Sequence, residues 1–190
     1  MEQIKSKLLA AIQEFLAAQA VSKVPVRYTL PGPMTMMDGC YNAHYSDSNH
    51  LAADLVVILQ REVLALAAHG CRHIQLDEPV LMRYPKQALE TGVANIAAVF
   101  RGCPAQVERA VHLCCGYPDR LEPTDYRKAD PANYPAILQA LDQAGMDWVG
   151  CCLHNALLQL LTSESLPCYV RCRCGKDGEN LKNIKSLGFI

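Results

Sequence analysis

Apolar, strand-like runs alternate along this chain with segments of helical periodicity, and that alternation leaves few folds open. Ile4, Leu8, Leu9, Ile12 and Phe15-Leu16 recur at helical spacing, which predicts a helix over residues 2–20. Val24 to Leu30 reads as a strand stopped by Pro31-Gly32-Pro33. Ser46 to Ser48 supply capping side chains for a helix over about 49–69, and Gly70 ends it. His73 to Asp77 is the next strand, closed by Glu78-Pro79, and a helix follows over about Lys86 to Phe100. Val107 to Cys114 is a strand, and Gly116 to Lys128 a loop. Asp130-Pro131 starts a helix that runs to Ala144, Gly145 closes it, and Met146 to Cys152 is again a strand. Strand–helix alternation of this kind implies right-handed βαβ units and a parallel sheet.

Reactive side chains fall where these strands end: Thr35 and Asp38 after the Pro31-Gly32-Pro33 stop, then Asp77-Glu78, then His112 and Cys114, then Cys151-Cys152. In a parallel barrel, the C-terminal strand ends form the active-site face. A doubly wound sheet also binds ligands there, at a crevice. The chain has neither a GxGxxG nor a GxxxxGK[ST] loop, so the (β/α) barrel is the preferred expectation. Eight units need at least about 200 residues and typically about 250. About five strand candidates, with a further one near Cys168 to Cys172, predict a partial TIM barrel with parallel strands and crossover helices.

His112-Leu113-Cys114 carries the most pointed chemistry. Side chains alternate along a strand, so the imidazole and the thiol two residues apart face the same way. Nitrogen and sulfur donors together suit zinc better than calcium or magnesium, and the pair reads as half of a metal site. Taken alone, it also fits a buried strand end. Cys115 faces the opposite side and is expected to pack behind the site. Glu78 alternates away from Asp77 and is expected to be structural.

Formal net charge is −1, which gives no electrostatic reason to expect nucleic acid or an anionic membrane surface as partner. Every long apolar run is broken by a charged residue or His before the roughly 20 residues a membrane span needs. The acidic, amphipathic N-terminus reads as a surface helix and not as a secretory signal, so the expected address is cytoplasmic. Ten cysteines in a reducing compartment do not imply a disulfide framework. Cys40, Cys71 and Cys103 are isolated and expected mostly as small core residues. Cys168, Cys172 and Cys174 match no standard zinc or iron–sulfur spacing and are taken as incidental.

Three blocks, LPGPMTMMD (30–38), IQLDEPVL (74–81) and HLCCGYPD (112–119), occur in the order and at the separations of a known family. Over about residues 20–150 the chain resembles the catalytic C-terminal domain of cobalamin-independent methionine synthase, in its short archaeal-type form. The resemblance implies a TIM barrel that binds zinc and transfers a methyl group from a methyltetrahydrofolate to a thiol such as homocysteine. It makes His112 and Cys114 two zinc ligands and Asp77 the carboxylate that binds the substrate's amino group. The family's next ligand is a glutamate one strand on, and Cys152 stands at that position here. Cys152 is therefore the candidate third ligand, completing a Cys2His set. The family's last cysteine ligand has no counterpart in this sequence.

The likeness ends near Gly150. Residues 1–150 are expected to form the family-like part of the barrel, and 151–190 an atypical Cys-rich tail with no clear domain. An altered reading frame, an unrecognised intron or a truncated gene model would account for such a tail. Two alternatives accompany the enzymatic expectation: a catalytically inactive barrel fragment, and a methyltransferase for a different thiol.

Overall fold

The structure is a computed structural model that describes residues 2–115, 129–151 and 169–172. Helix α1 (Glu2–Val21) precedes strand β1 (Arg27–Pro31), a short helix α2 (Pro33–Gly39) and a long helix α3 (Ser48–Ala68). Strand β2 (His73–Asp77) leads into three helical pieces, α4 (Val80–Arg83), α5 (Pro85–Gln87) and α6 (Val93–Val99), with a π-helical turn over Ala88–Gly92 before α6. Strand β3 (Glu108–Leu113), a 3-10 turn over Pro131–Asn133 capped by Asp130 and leading into helix α7 (Tyr134–Gln143), strand β4 (Trp148–Cys151) and strand β5 (Tyr169–Cys172) complete the described elements.

All four strand pairings are parallel, and the strands lie side by side in chain order, β1-β2-β3-β4-β5. A doubly wound sheet reverses its strand order at a switch point, whereas a barrel adds each strand beside the last. The unbroken order, with helices between strands, is that of part of a TIM barrel.

Strand alternation sorts the residues onto two faces. Leu30, Ile74, Leu76, Val111, Leu113, Val149 and Cys151 turn to one side and are buried against the helices. Phe15 of α1, Leu59, Val63 and Leu66 of α3, Ile96 and Val99 of α6, and Ile137, Leu138 and Leu141 of α7 join the same core. The other face, the barrel interior, carries Arg27, His73 and Glu108 at one level and Thr29, Gln75, Ala110 and Trp148 at the next. Pro31, Asp77, His112 and Gly150 form the level nearest the C-terminal strand ends.

Several boundaries move from expectation for identifiable reasons. Strand β1 starts at Arg27, not Val24. The cap of helix α3 does come from the Ser46–Ser48 stretch: Asp47 accepts from Asn49 N at 2.9 Å. Gly70 and Gly145 do close their helices with positive φ, 91° and 80°. The helix expected from Lys86 begins as early as Val80, because Pro79 already adopts helical dihedrals, and Pro85 divides it by lacking an amide proton. Helix α2 was not foreseen.

Candidate functional site

The level nearest the strand ends brings two of the expected residues side by side. Asp77 of β2 is the direct register partner of His112 of β3, on the interior face. The ladder continues past Asp77, where Glu78 N donates to His112 O at 2.9 Å and Gly32 N donates to Asp77 O at 2.8 Å. Cys114 follows two residues after His112, just past the end of β3, and is buried. Across β4 the partner of His112 is Gly150, and a Cβ added there would lie 3.4 Å from His112 Nδ1. The imidazole thus extends over a position that has no side chain.

Asp77 is held from within the barrel. Gln75 Nε2 donates to Asp77 Oδ1 at 2.8 Å, and Arg27 Nη1 donates to Gln75 Oε1 at 3.2 Å. Arg27 Nη2 is in turn paired with Glu108 Oε1, and His73 Nδ1 lies 3.2 Å from that oxygen. This line of polar contacts runs up the interior face to the carboxylate. Its members escaped the motif-based reading, although the polar alternation His73-x-Gln75-x-Asp77 within an otherwise apolar strand is the mark of an inward barrel face.

Glu78 points away from Asp77 into the protein, is fully buried, and accepts Met34 N and Thr35 N at 2.9 Å each and Thr35 Oγ1 at 2.7 Å. Burial raises its carboxyl above the usual range, against the lowering effect of these three hydrogen bonds. The carboxylate caps the first turn of α2, whose N-cap residue Gly32 has no side chain to do so. Cys115 turns to the helix side, where its thiol donates to Tyr134 Oη at 3.5 Å. Burial, then the contact with Cys115, pushes the Tyr134 phenol far above its usual range.

His112 and Cys114 offer one nitrogen and one sulfur two residues apart at the end of β3, which suits the ion, but among the described residues no group of three or more His, Cys, Asp or Glu stands ready to hold a metal. Cys151, the last described residue of β4, belongs to the helix-facing side and is 2% exposed. Cys152 lies outside the described residues, as do Cys168 and Cys174. His44, His50 and Cys40 are exposed, and Cys71 is a buried core residue. Among the described residues no helix is long and apolar enough to cross a membrane.

The described site sits within a recognisable sequence. The family profile described as "Cobalamin-independent synthase, Catalytic domain" matches residues 2–122, and so takes in α1 as well as all three sequence blocks. A methionine synthase of Sulfurisphaera tokodaii is 32% identical over 124 residues, covering 65% of this chain and 35% of that protein. One from Pyrococcus abyssi is 27% identical over 115 residues, covering 60% of this chain and 33% of its own length. The chain thus spans about a third of the length of these curated relatives. Among solved structures, a B12-independent methionine synthase from Shewanella sp. W3-18-1, in complex with selenomethionine, superposes with a TM-score of 0.69. That match is at 26% identity and covers 85% of this chain and 48% of the other. With its parallel barrel strands and with Asp77, His112 and Cys114 inside the matched segment, the chain belongs to the cobalamin-independent methionine synthase family.

Proposed function

We propose that this face of the barrel serves zinc-dependent methyl transfer to a thiol, with homocysteine as acceptor and a methyltetrahydrofolate as donor. The observation that carries the reading is the adjacency of Asp77 and His112 on the interior face, with Cys114 two residues further on, inside the family match. His112 and Cys114 would hold the ion, with Cys152, which stands at the position of the family's glutamate ligand, as third donor. Bound zinc supplies a lowered thiol pKa, so that the acceptor sulfur is anionic at neutral pH. Asp77 pairs with the acceptor's ammonium and fixes which way the sulfur points. The sulfur then attacks the N5-methyl carbon. A C–S bond forms, the C–N bond breaks, and N5 takes the electron pair and then a proton, giving methionine and tetrahydrofolate.

The selenomethionine bound by the Shewanella relative supports an amino acid with a chalcogen side chain as the ligand class. The test is the zinc content of the purified chain with and without Cys114→Ser. Stoichiometric zinc that drops on substitution, and that homocysteine protects from a chelator, supports the reading. An unmodified chain that takes up no zinc overturns it in favour of a barrel fragment without catalysis. Protection by another thiol in place of homocysteine points to a different acceptor.

A further inference from the structure

We infer that Gln75 is the positioning residue for Asp77, and that the Arg27–Glu108 pair fixes Gln75 in the one orientation that can do this. The inference rests on the reading of Asp77 as the ammonium-binding carboxylate. The amide orientation follows from chemistry: an arginine only donates and a carboxylate only accepts. Gln75 therefore turns its oxygen to Arg27 Nη1, 3.2 Å away, and its nitrogen to Asp77 Oδ1, 2.8 Å away. A reversed amide would place two donors against each other and two acceptors against each other. Arg27 is itself held by Glu108 on the neighbouring strand, so the glutamine has a charged anchor behind it.

The consequence is geometric and electrostatic. Asp77 has one oxygen committed to Gln75, which restricts rotation of the carboxylate, and Oδ2 accepts no hydrogen bond from the described residues. A carboxylate with one oxygen fixed has less rotamer freedom to lose when it takes a ligand ammonium. The guanidinium withdraws charge through the amide and strengthens its N–H as a donor. Gln75 lies one level below Asp77 on the interior face, further from the strand ends, so its effect belongs to the carboxylate and to recognition of the amino group.

The test compares binding of L-homocysteine with that of 4-sulfanylbutanoate, the same thiol without the amino group, by calorimetry on the zinc-supplemented protein. Gln75→Glu keeps an acceptor for Arg27 but sets an anion against Asp77. Gln75→Met removes both polar contacts at similar volume. Both variants are expected to lose about tenfold of the preference for homocysteine over the amino-free thiol, with affinity for the latter unchanged. A merely structural role would weaken both ligands together, and that outcome overturns the inference. A full preference kept by either folded variant also overturns it. If the unmodified chain shows no preference for the amino-bearing thiol, the assignment of Asp77 fails first, and the inference falls with it.

Discussion

Gly32 and Glu78 are complementary in shape: a Cβ on Gly32 would overlap the Glu78 side chain, whose carboxylate caps the first turn of α2. The Gly32 backbone, at φ −80° and ψ 167°, is open to any residue, so space and not conformation demands glycine. The pair ties the end of β2 to the loop after β1, and thereby sets the wall beside Asp77.

Gly32→Ala is expected to destabilise the fold by about 1–3 kcal/mol through overpacking against a buried carboxylate. Glu78→Gln is expected to fall in a similar range, about 1–3 kcal/mol, because its NH2 group meets a donor in α2. Urea unfolding of both variants measures this, and a change under about 0.5 kcal/mol in each would refute the tight fit.

Two carboxylates shift stability with pH in opposite directions. Glu78 binds its proton more tightly folded than unfolded because of burial, so its contribution is full below the ordinary value of 4.5 and lost as pH rises through the folded value. Burial also acts to raise Asp147, but the side-chain and backbone hydrogen bonds from Arg109, at 2.9–3.0 Å, and its charge outweigh that and lower it. The Asp147 contribution is present above its ordinary 3.8 and lost as pH falls through the depressed value. Subtracting the stability–pH curves of Glu78→Gln and of Asp147→Asn from that of the unmodified chain should show these two slopes of opposite sign.

Adjacent cysteines should behave differently. Cys114→Ser is expected to abolish zinc retention, whereas Cys115→Ala is expected to leave it intact, because Cys115 faces Tyr134 on the helix side. The second change costs about 0.5–1.5 kcal/mol for the lost contact with a buried phenol. Parallel metal analysis and thermal melts read both effects, and equal zinc loss in the two variants would contradict the assignment of faces.

Leu76 lies between Gln75 and Asp77 but points to the helices and is fully buried. Leu76→Ala should cost about 2–5 kcal/mol, and it should leave the homocysteine preference of the folded fraction unchanged. Chemical denaturation and calorimetry on the same sample separate the two effects.

Much of the fold is visible from residue order. The strands around 73–77 and 107–114, the long helix before Gly70 and the helix started by Asp130-Pro131 all follow local rules of periodicity and capping. Helix α2 is missed for a definite reason: its cap comes from Glu78, 44 residues after Met34, so no local signal announces it. The split of the helix after β2 is half visible, since Pro85 marks the break, but helical placement of Pro79 depends on packing of Val80, Leu81 and Met82 into the core. The site divides in the same way. The two-residue spacing of His112 and Cys114 is legible in the sequence, where strand alternation predicts a shared side, although β3 itself ends at Leu113.

What the linear sequence determined by itself is therefore the set of strands, the helices between them, and the chemistry waiting at the strand ends, because those depend on neighbours a few residues apart. Register was decided only by tertiary structure. Parallel pairing of β2 with β3 sets Asp77 beside His112, and pairing of β1 with β2 brings Arg27 to Gln75. A one-residue slip would turn every one of these side chains to the opposite face, and that choice is made by burying Leu76, Val111 and Val149 against the helices, an energy that belongs to the assembled core and to no single segment.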